Sequence, residues 1–314
     1  MSAWLPTAPC TPTGCATHEG RAAPVAHAVL RLAGVLALVL AGVVGAPPVR
    51  LLPDRPRQAV IRAWCRALVR AFGVRITVHG SPGPDGGRLI VPNHISWLDI
   101  PVVACAVPSR MLAKGEIGRW PVLGRLAARA GTLFIDRDRI RALPATVGTL
   151  AGALRDGDRV TVFPEGSTWC GRGQGVFRRA AFQAALDAGV PVQPVHLSYL
   201  LPDGRPAGAP AFVGDDPLTA SLWRIVRARG LRAEIRLLPR IPPGRYPDRR
   251  ALAAAAQSAV TTSSGVPAVA YPPREPARTI PSATDRDTAK RPSASVHHCV
   301  SSRPAAASSA RTPS

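Results

Sequence analysis

Lysine is nearly missing from this chain: among forty basic residues only Lys114 and Lys290 are lysines, and the rest are arginines. Acidic residues are also scarce, nineteen in all, which leaves a formal net charge of +21 over 314 residues. That excess calls for an anionic partner such as nucleic acid, a membrane surface or an acidic substrate. Aromatics amount to only 5%, so a core must be built from Ala, Val and Leu. No aromatic platform interleaves with the arginines and the basic excess is spread along the whole chain, so no nucleic-acid partner is expected. A diffuse positive field suits a membrane surface better. The six cysteines (10, 15, 65, 105, 170 and 299) form no C-x-x-C pair and no zinc-type spacing, and no metal site is expected from them. There is no G-x-S-x-G elbow either, so a serine hydrolase built on Ser167 has no sequence support. What is present in quantity is apolar: 46% hydrophobic residues and a mean hydropathy of +0.08 exclude wholesale disorder. Only one apolar run approaches membrane length, which excludes a polytopic membrane protein.

That run divides the chain. Residues 1–26 are Pro-, Ala- and Thr-rich without periodicity and are expected to be a disordered leader. Residues 27–49 contain the run Leu32–Ala46, closed by Pro47 and Pro48, and are expected to be a hydrophobic membrane anchor. Fifteen helical residues reach only about 22 Å, short of the roughly 30 Å hydrocarbon core. A tilted span, a half-embedded helix and a cleaved signal peptide ending at Val44-Gly45-Ala46 all fit that length. The long leader before the run and the arginines after it favour an uncleaved anchor with the rest of the chain in the cytoplasm. Residues 50–73 read as a basic amphipathic helix, because Arg62, Arg66 and Arg70 recur every four residues among Val60, Ile61, Trp64, Leu68, Val69 and Phe72. That pattern fits an interfacial helix on anionic lipid or a surface helix packed on the core.

From residue 74 to 262, short β-rich runs alternate with helical stretches. Strands are predicted over Val74–Val78, Leu89–Val91, Gly131–Ile135, Arg159–Phe163, Val192–Leu197 and Ala233–Leu238. Helices are predicted over Ser96–Ala106, Val122–Ala130 and Arg178–Ala188 (ended by Gly189), with a last one opened by Asp248. The alternation predicts one α/β catalytic domain with a mixed, largely buried sheet flanked by helices, preceded by an N-terminal membrane-associating helical segment. Residues 263–314 turn Pro-, Ser- and Ala-rich and aperiodic, a disordered tail by composition.

The chemistry-bearing stretch is LIVPNHISWLDIPVV, residues 89–103. A histidine at a strand-to-helix junction sits at the sheet rim, where α/β sites form. Asp99, five residues on, can fix its tautomer and make it a general base. Alone this spacing is weak, since a surface His and an unrelated Asp share it often. Downstream, however, follow Gly131-Thr-Leu-Phe-Ile-Asp-Arg137, Val162-Phe-Pro-Glu-Gly-Ser167 and Val190-Pro-Val-Gln-Pro-Val195, each at a predicted strand end. Together these blocks resemble the 1-acylglycerol-3-phosphate acyltransferase (lysophospholipid acyltransferase) family: its NHxxxxD, GxxFIDR and FPEGT-type motifs and its V-P-hydrophobic-x-P-V segment, in order. Met111-Leu-Ala-Lys-Gly-Glu-Ile117 and Pro121-Val-Leu-Gly124 resemble its connecting segment. The resemblance covers roughly residues 60–260.

The resemblance implies an O-acyltransferase that moves a fatty acyl chain from acyl-CoA or acyl-carrier protein to the free hydroxyl of a lysolipid. Its acceptor would most naturally be 1-acylglycerol-3-phosphate, giving phosphatidic acid. His94 would be the general base and Asp99 its orienting carboxylate, with no covalent intermediate, no metal and no cofactor beyond the thioester co-substrate. Asn93, Arg137, Glu165, Gly166 and Ser167 would bind substrate, Arg137 meeting the acceptor phosphate through its planar fork. Membrane lipids, the acyl donor, an acyl carrier protein and the lysolipid are the implied partners.

Two positions depart from the family pattern. Phosphatidic-acid-forming members continue Phe-Pro-Glu-Gly with Thr-Arg, whereas Ser167-Thr168 stands here, and Phe177-Arg178-Arg179-Ala180 carries Ala where Gly is common. The missing cation admits an alternative acceptor such as a lyso-ornithine lipid. From a different class, a non-enzymatic anionic-lipid-binding protein would explain the charge but leaves His94 and Asp99 without a purpose.

Overall fold

The computed structural model describes residues 8–83, 85–120, 123–135 and 140–265. In chain order they form helices α1 (Pro12–Cys15), α2 (Val25–Arg50) and α3 (Asp54–Ala71), strands β1 (Arg75–His79) and β2 (Arg88–Pro92), and α4 (Asp99–Ala106). There follow β3 (Arg110–Lys114), α5 (Gly115–Gly118), α6 (Leu123–Arg129), β4 (Leu133–Ile135), α7 (Leu143–Arg155) and β5 (Arg159–Thr161). The described chain ends with α8 (Ala180–Ala188), β6 (Val192–Leu200), α9 (Leu218–Arg227), β7 (Arg232–Leu237) and α10 (Arg249–Ser264).

The strands make one sheet in the order β1-β7-β6-β2-β5-β3-β4. Only the β6–β7 pairing is antiparallel, so β1 and β7 run against the other five and the sheet is mixed, as the sequence predicts. β2 lies at its centre with parallel β6 and β5 on either side, and all five of its residues are buried. Successive strand side chains point to opposite faces. Leu89 and Val91 enter a core with Leu150 and Leu154 of α7, Phe182 of α8 and Leu252 and Ala256 of α10. Ile90 enters the opposite core, with Leu68 and Val69 of α3, Val102 and Val103 of α4, and Ile225 and Val226 of α9. A strand covered on both faces reads as an unbroken apolar run, which is why Leu89–Val91 stands out in the sequence.

Chain punctuation falls where local chemistry puts it. Asp248 caps α10, its carboxylate accepting from the N–H of Arg250 (2.7 Å) and Ala251 (2.9 Å). Gly189 closes α8 at φ +63°, a left-handed position that suits glycine.

The N-terminal region departs from expectation in two ways. From residue 8 the leader is structured: Cys10, Ala16 and Ala23 are buried, and Ala22 bridges to Ala228. Its scattered small residues have no period because they fill gaps between loops of the domain rather than forming an amphipathic element. Second, α2 does not stop at Pro47 but runs through Pro47 and Pro48 to Arg50. A proline at 47 cannot donate to the Val43 carbonyl, and Arg129 Nη1 takes that acceptor at 2.8 Å. The basic helix α3 packs on the core through Cys65, Leu68 and Val69. The tail beyond residue 265 lies outside the described residues.

Candidate active site

β2 ends at Pro92, and the chain turns through Asn93–Leu98 before α4 begins at Asp99. Asn93 locks this turn to the neighbouring strand. Its Nδ2 donates to the Leu197 carbonyl (3.0 Å) and its Oδ1 accepts from the Leu197 N–H (2.7 Å). With both ends of the amide engaged and 4% of the residue exposed, Asn93 holds the β2–β6 rim together.

Asp99 is fully buried and accepts four hydrogen bonds. Its Oδ2 faces His94 Nδ1 (2.8 Å) and the backbone N–H groups of Ile95 (2.6 Å) and Ser96 (2.9 Å). Its Oδ1 accepts from the Tyr199 hydroxyl (2.7 Å). An oxygen that already accepts from two backbone N–H groups suits a ring N–H at His94 Nδ1, the tautomer that leaves the Nε2 lone pair free. The first turn of α4 also favours this negative charge. Burial, then the Asp99 charge and the hydrogen bond to it, hold the Tyr199 phenol well above its usual value, so it remains a donor.

His94 is held on three sides. Its ring stacks on Phe163 at 3.9 Å between centroids and 18° between planes. Its N–H donates to Glu165 Oε2 (3.2 Å), and its carbonyl accepts from the Trp169 N–H (2.8 Å). The side chain is 19% exposed, and no described residue bonds its Nε2. This is the geometry of a general base: tautomer fixed, ring plane fixed, one basic nitrogen open to solvent.

Phe163-Pro164-Glu165-Gly166 forms a tight turn after β5, with the Gly166 N–H donating to the Phe163 carbonyl (3.2 Å). Gly166 adopts φ +75°, which requires glycine. Glu165 is wholly buried, and that desolvation, then the neighbouring Asp99 charge, raises its carboxyl well above the ordinary carboxylate range. Its Oε2 accepts from the His94 backbone N–H and so ties this turn to the turn that carries His94. The Ser167 Oγ is buried with no hydrogen-bond partner among the described residues. At the position where an arginine is usual, Thr168 Oγ1 bonds the Phe212 carbonyl instead. Arg137 lies outside the described residues. Tyr199 and Phe163 are the contributors that sequence reasoning missed; Phe163 lies within the Val162–Ser167 block and Tyr199 just beyond Val195, but only the fold brings them to His94 and Asp99.

The acyltransferase family model matches residues 75–198. A lyso-ornithine lipid O-acyltransferase of Pseudomonas aeruginosa is 38% identical over 74% of this chain and 91% of that protein. A 1-acyl-sn-glycerol-3-phosphate acyltransferase of Neisseria meningitidis is 37% identical over 58% of this chain and 71% of that protein. The crystal structure of the 1-acyl-sn-glycerophosphate (LPA) acyltransferase PlsC from Thermotoga maritima superposes with a TM-score of 0.53, covering 75% of this chain and 96% of that one. At 21% identity that likeness is one of fold. The chain belongs to the 1-acylglycerol-3-phosphate acyltransferase (lysophospholipid acyltransferase) family. It is an O-acyltransferase of that type, acting at membrane lipid.

Proposed function

We propose that the chain transfers a fatty acyl group from an acyl-CoA or acyl-carrier-protein thioester to the hydroxyl of a lysophospholipid, with 1-acylglycerol-3-phosphate as acceptor. The observation that carries this reading is His94, Nδ1 bound to a buried Asp99 and Nε2 open. Nε2 takes the proton of the acceptor hydroxyl as its oxygen attacks the thioester carbonyl carbon. Asp99 stabilises the imidazolium that forms. The carbon–sulfur bond then breaks and the thiolate leaves, receiving the proton from His94 or solvent. A thiolate is already a good leaving group, so generating the nucleophile beside the carbonyl is the demanding step. Arg137 is the proposed ligand of the acceptor phosphate, and Ser167 the proposed hydroxyl contact.

A second reading keeps the chemistry and changes the acceptor to a lyso-ornithine lipid. Thr168 at the position of the missing arginine favours it, as does the similarity to the Pseudomonas protein over most of both chains.

Membrane docking follows from α2. One side packs on the domain through Ala28 and Val35, and Arg31 Nη1 donates to the carbonyls of Val226 (2.7 Å) and Ala228 (2.9 Å) at the end of α9. Its other side exposes Val29, Leu30, Leu36, Leu40 and Val44. A helix fastened along its length with an apolar outer face suits half-embedding in one leaflet better than crossing alone. The domain then faces the cytoplasm, on the side of the following arginines.

The test is acyl transfer from radiolabelled acyl-CoA and acyl-carrier protein to a panel of lysolipids, using membranes that carry the wild type or His94→Ala. Label in phosphatidic acid that disappears with His94→Ala is expected. Label only in ornithine lipid would move the substrate to the second reading. No thioester consumption by folded protein would overturn the enzyme as described.

A further inference from the structure

Cysteines with no metal spacing in the sequence meet in space. Cys10 and Cys15 of the leader and Cys170 of the loop after Ser167 place their three sulfur atoms within 4.8 Å of one another. All three are free thiols, Cys10 buried and the other two half-buried. Among the described residues, no other group of three His, Cys, Asp or Glu side chains is close enough to share an ion.

The approach is built rather than incidental. Thr11 caps α1 by accepting from the Gly14 N–H (3.3 Å), and the Cys15 N–H donates to the Thr11 carbonyl (3.0 Å), which turns Cys15 back toward Cys10. This turn seats on Gly208, where a Cβ would fall 2.7 Å from the Cys15 carbonyl oxygen and 2.5 Å from that of Thr17. Any side chain at 208 would push the turn off. Glu19 then pairs with Arg172 (2.9 Å), two residues beyond Cys170, and with Arg205 (3.3 Å). The leader is thus fastened to the Cys170 loop through Arg172 and to the 205–208 segment through Arg205 and Gly208.

We propose that Cys10, Cys15 and Cys170 form a thiolate site for a thiophilic divalent metal ion, Zn2+ by ligand preference. Tetrahedral zinc–sulfur bonds of about 2.3 Å set the sulfurs roughly 3.8 Å apart, so the cluster closes with sub-ångström adjustments. Binding releases the thiol protons to solvent and leaves a fourth position for water or another side chain. No step of acyl transfer passes through this ion. Its place is structural: it ties the leader to the loop whose Trp169 N–H holds the His94 carbonyl.

Purified, reduced, metal-free full-length protein titrated with Co2+, a spectroscopic substitute for zinc, provides the test. One equivalent per chain is expected, with a thiolate-to-cobalt charge-transfer band that Zn2+ displaces. Cys15→Ala and Cys170→Ala, both half-buried and checked as folded by circular dichroism, each lose the band. Their affinity falls by more than the roughly 10–100-fold that a supporting residue beyond the ligands commands. Folded wild-type protein without the band, or uptake unchanged by Cys170→Ala, overturns the site. So does a chain that loses two of the three thiols to a disulfide and takes up no metal.

Discussion

The strand ends around His94 and the outer face of α2 are built on opposite principles. At the strand ends, Asp99 alone accepts four hydrogen bonds, and Asn93 uses both ends of its amide on one residue of β6. On α2, Leu30 is 70% exposed, Leu36 59% and Val44 77%, with no protein cover. Directional bonds fix one atom, Nε2 of His94, to a position. Apolar area has no direction and fixes only the phase in which it will rest. An enzyme acting on lipid needs both, and here they sit on different elements joined through α3 and α9.

The largest expected effect tests the apolar side. Leu30→Asp, Leu36→Asp and Val44→Asp together should cost on the order of 5 kcal/mol of membrane affinity, more than three decades in partition. Flotation on anionic vesicles reads this, while activity on short-chain soluble substrate stays. Retained flotation would place the membrane contact elsewhere.

Below the site, burial, then the Arg236 charge, pushes the His196 imidazole down to about 4 from 6.5. Between those values the unfolded chain accepts a proton that the folded chain refuses. Stability is therefore full above about pH 6.5 and declines as pH falls toward 4, by at most about 3 kcal/mol. Thermal midpoints of wild type and His196→Gln across that range should converge at acid pH; parallel curves would remove His196 as the cause. Glu165, with its raised value, works in the other direction, losing stability as pH rises, and is common to both proteins.

On the directional side, Asp99→Asn should lower kcat by about 10²-fold with little change in KM, because the base loses its tautomer and its counter-charge. A KM effect alone would turn Asp99 into a binding group. The smallest effect belongs to Tyr199→Phe, which removes one of the four bonds to Asp99 and should cost about 1 kcal/mol of stability in urea titrations. A large kcat loss there would show that the phenol orients the carboxylate as well as supporting it.

Much of this contrast is visible in the residues themselves. The strand Leu89–Val91, the His94–Asp99 pair, the Glu165–Gly166 turn and the helix after Asp248 are all local patterns, and each stands within a residue or two of its predicted place. What escaped was short or context-made. β3 (Arg110–Lys114) is only partly buried, with Met111 as its one buried residue, so its alternation is faint. The helix α7 lies in a stretch whose Ala, Gly and Thr content blurs the apolar stripe. The leader looked structureless because its buried residues pack on loops some two hundred positions away.

The sequence by itself determined the α/β alternation, the pairing of His94 with Asp99, the cationic surface and the apolar run, because each depends on neighbours a few residues apart. Only the tertiary structure decided that α2 continues through its prolines, since the acceptor freed at Val43 is satisfied by Arg129. Only it brought Phe163 to His94 and Tyr199 to Asp99, and gathered three cysteines from positions 10, 15 and 170. Those contacts join segments whose separation along the chain leaves no period to read; they exist because the sheet, once formed, sets its strand ends and loops side by side.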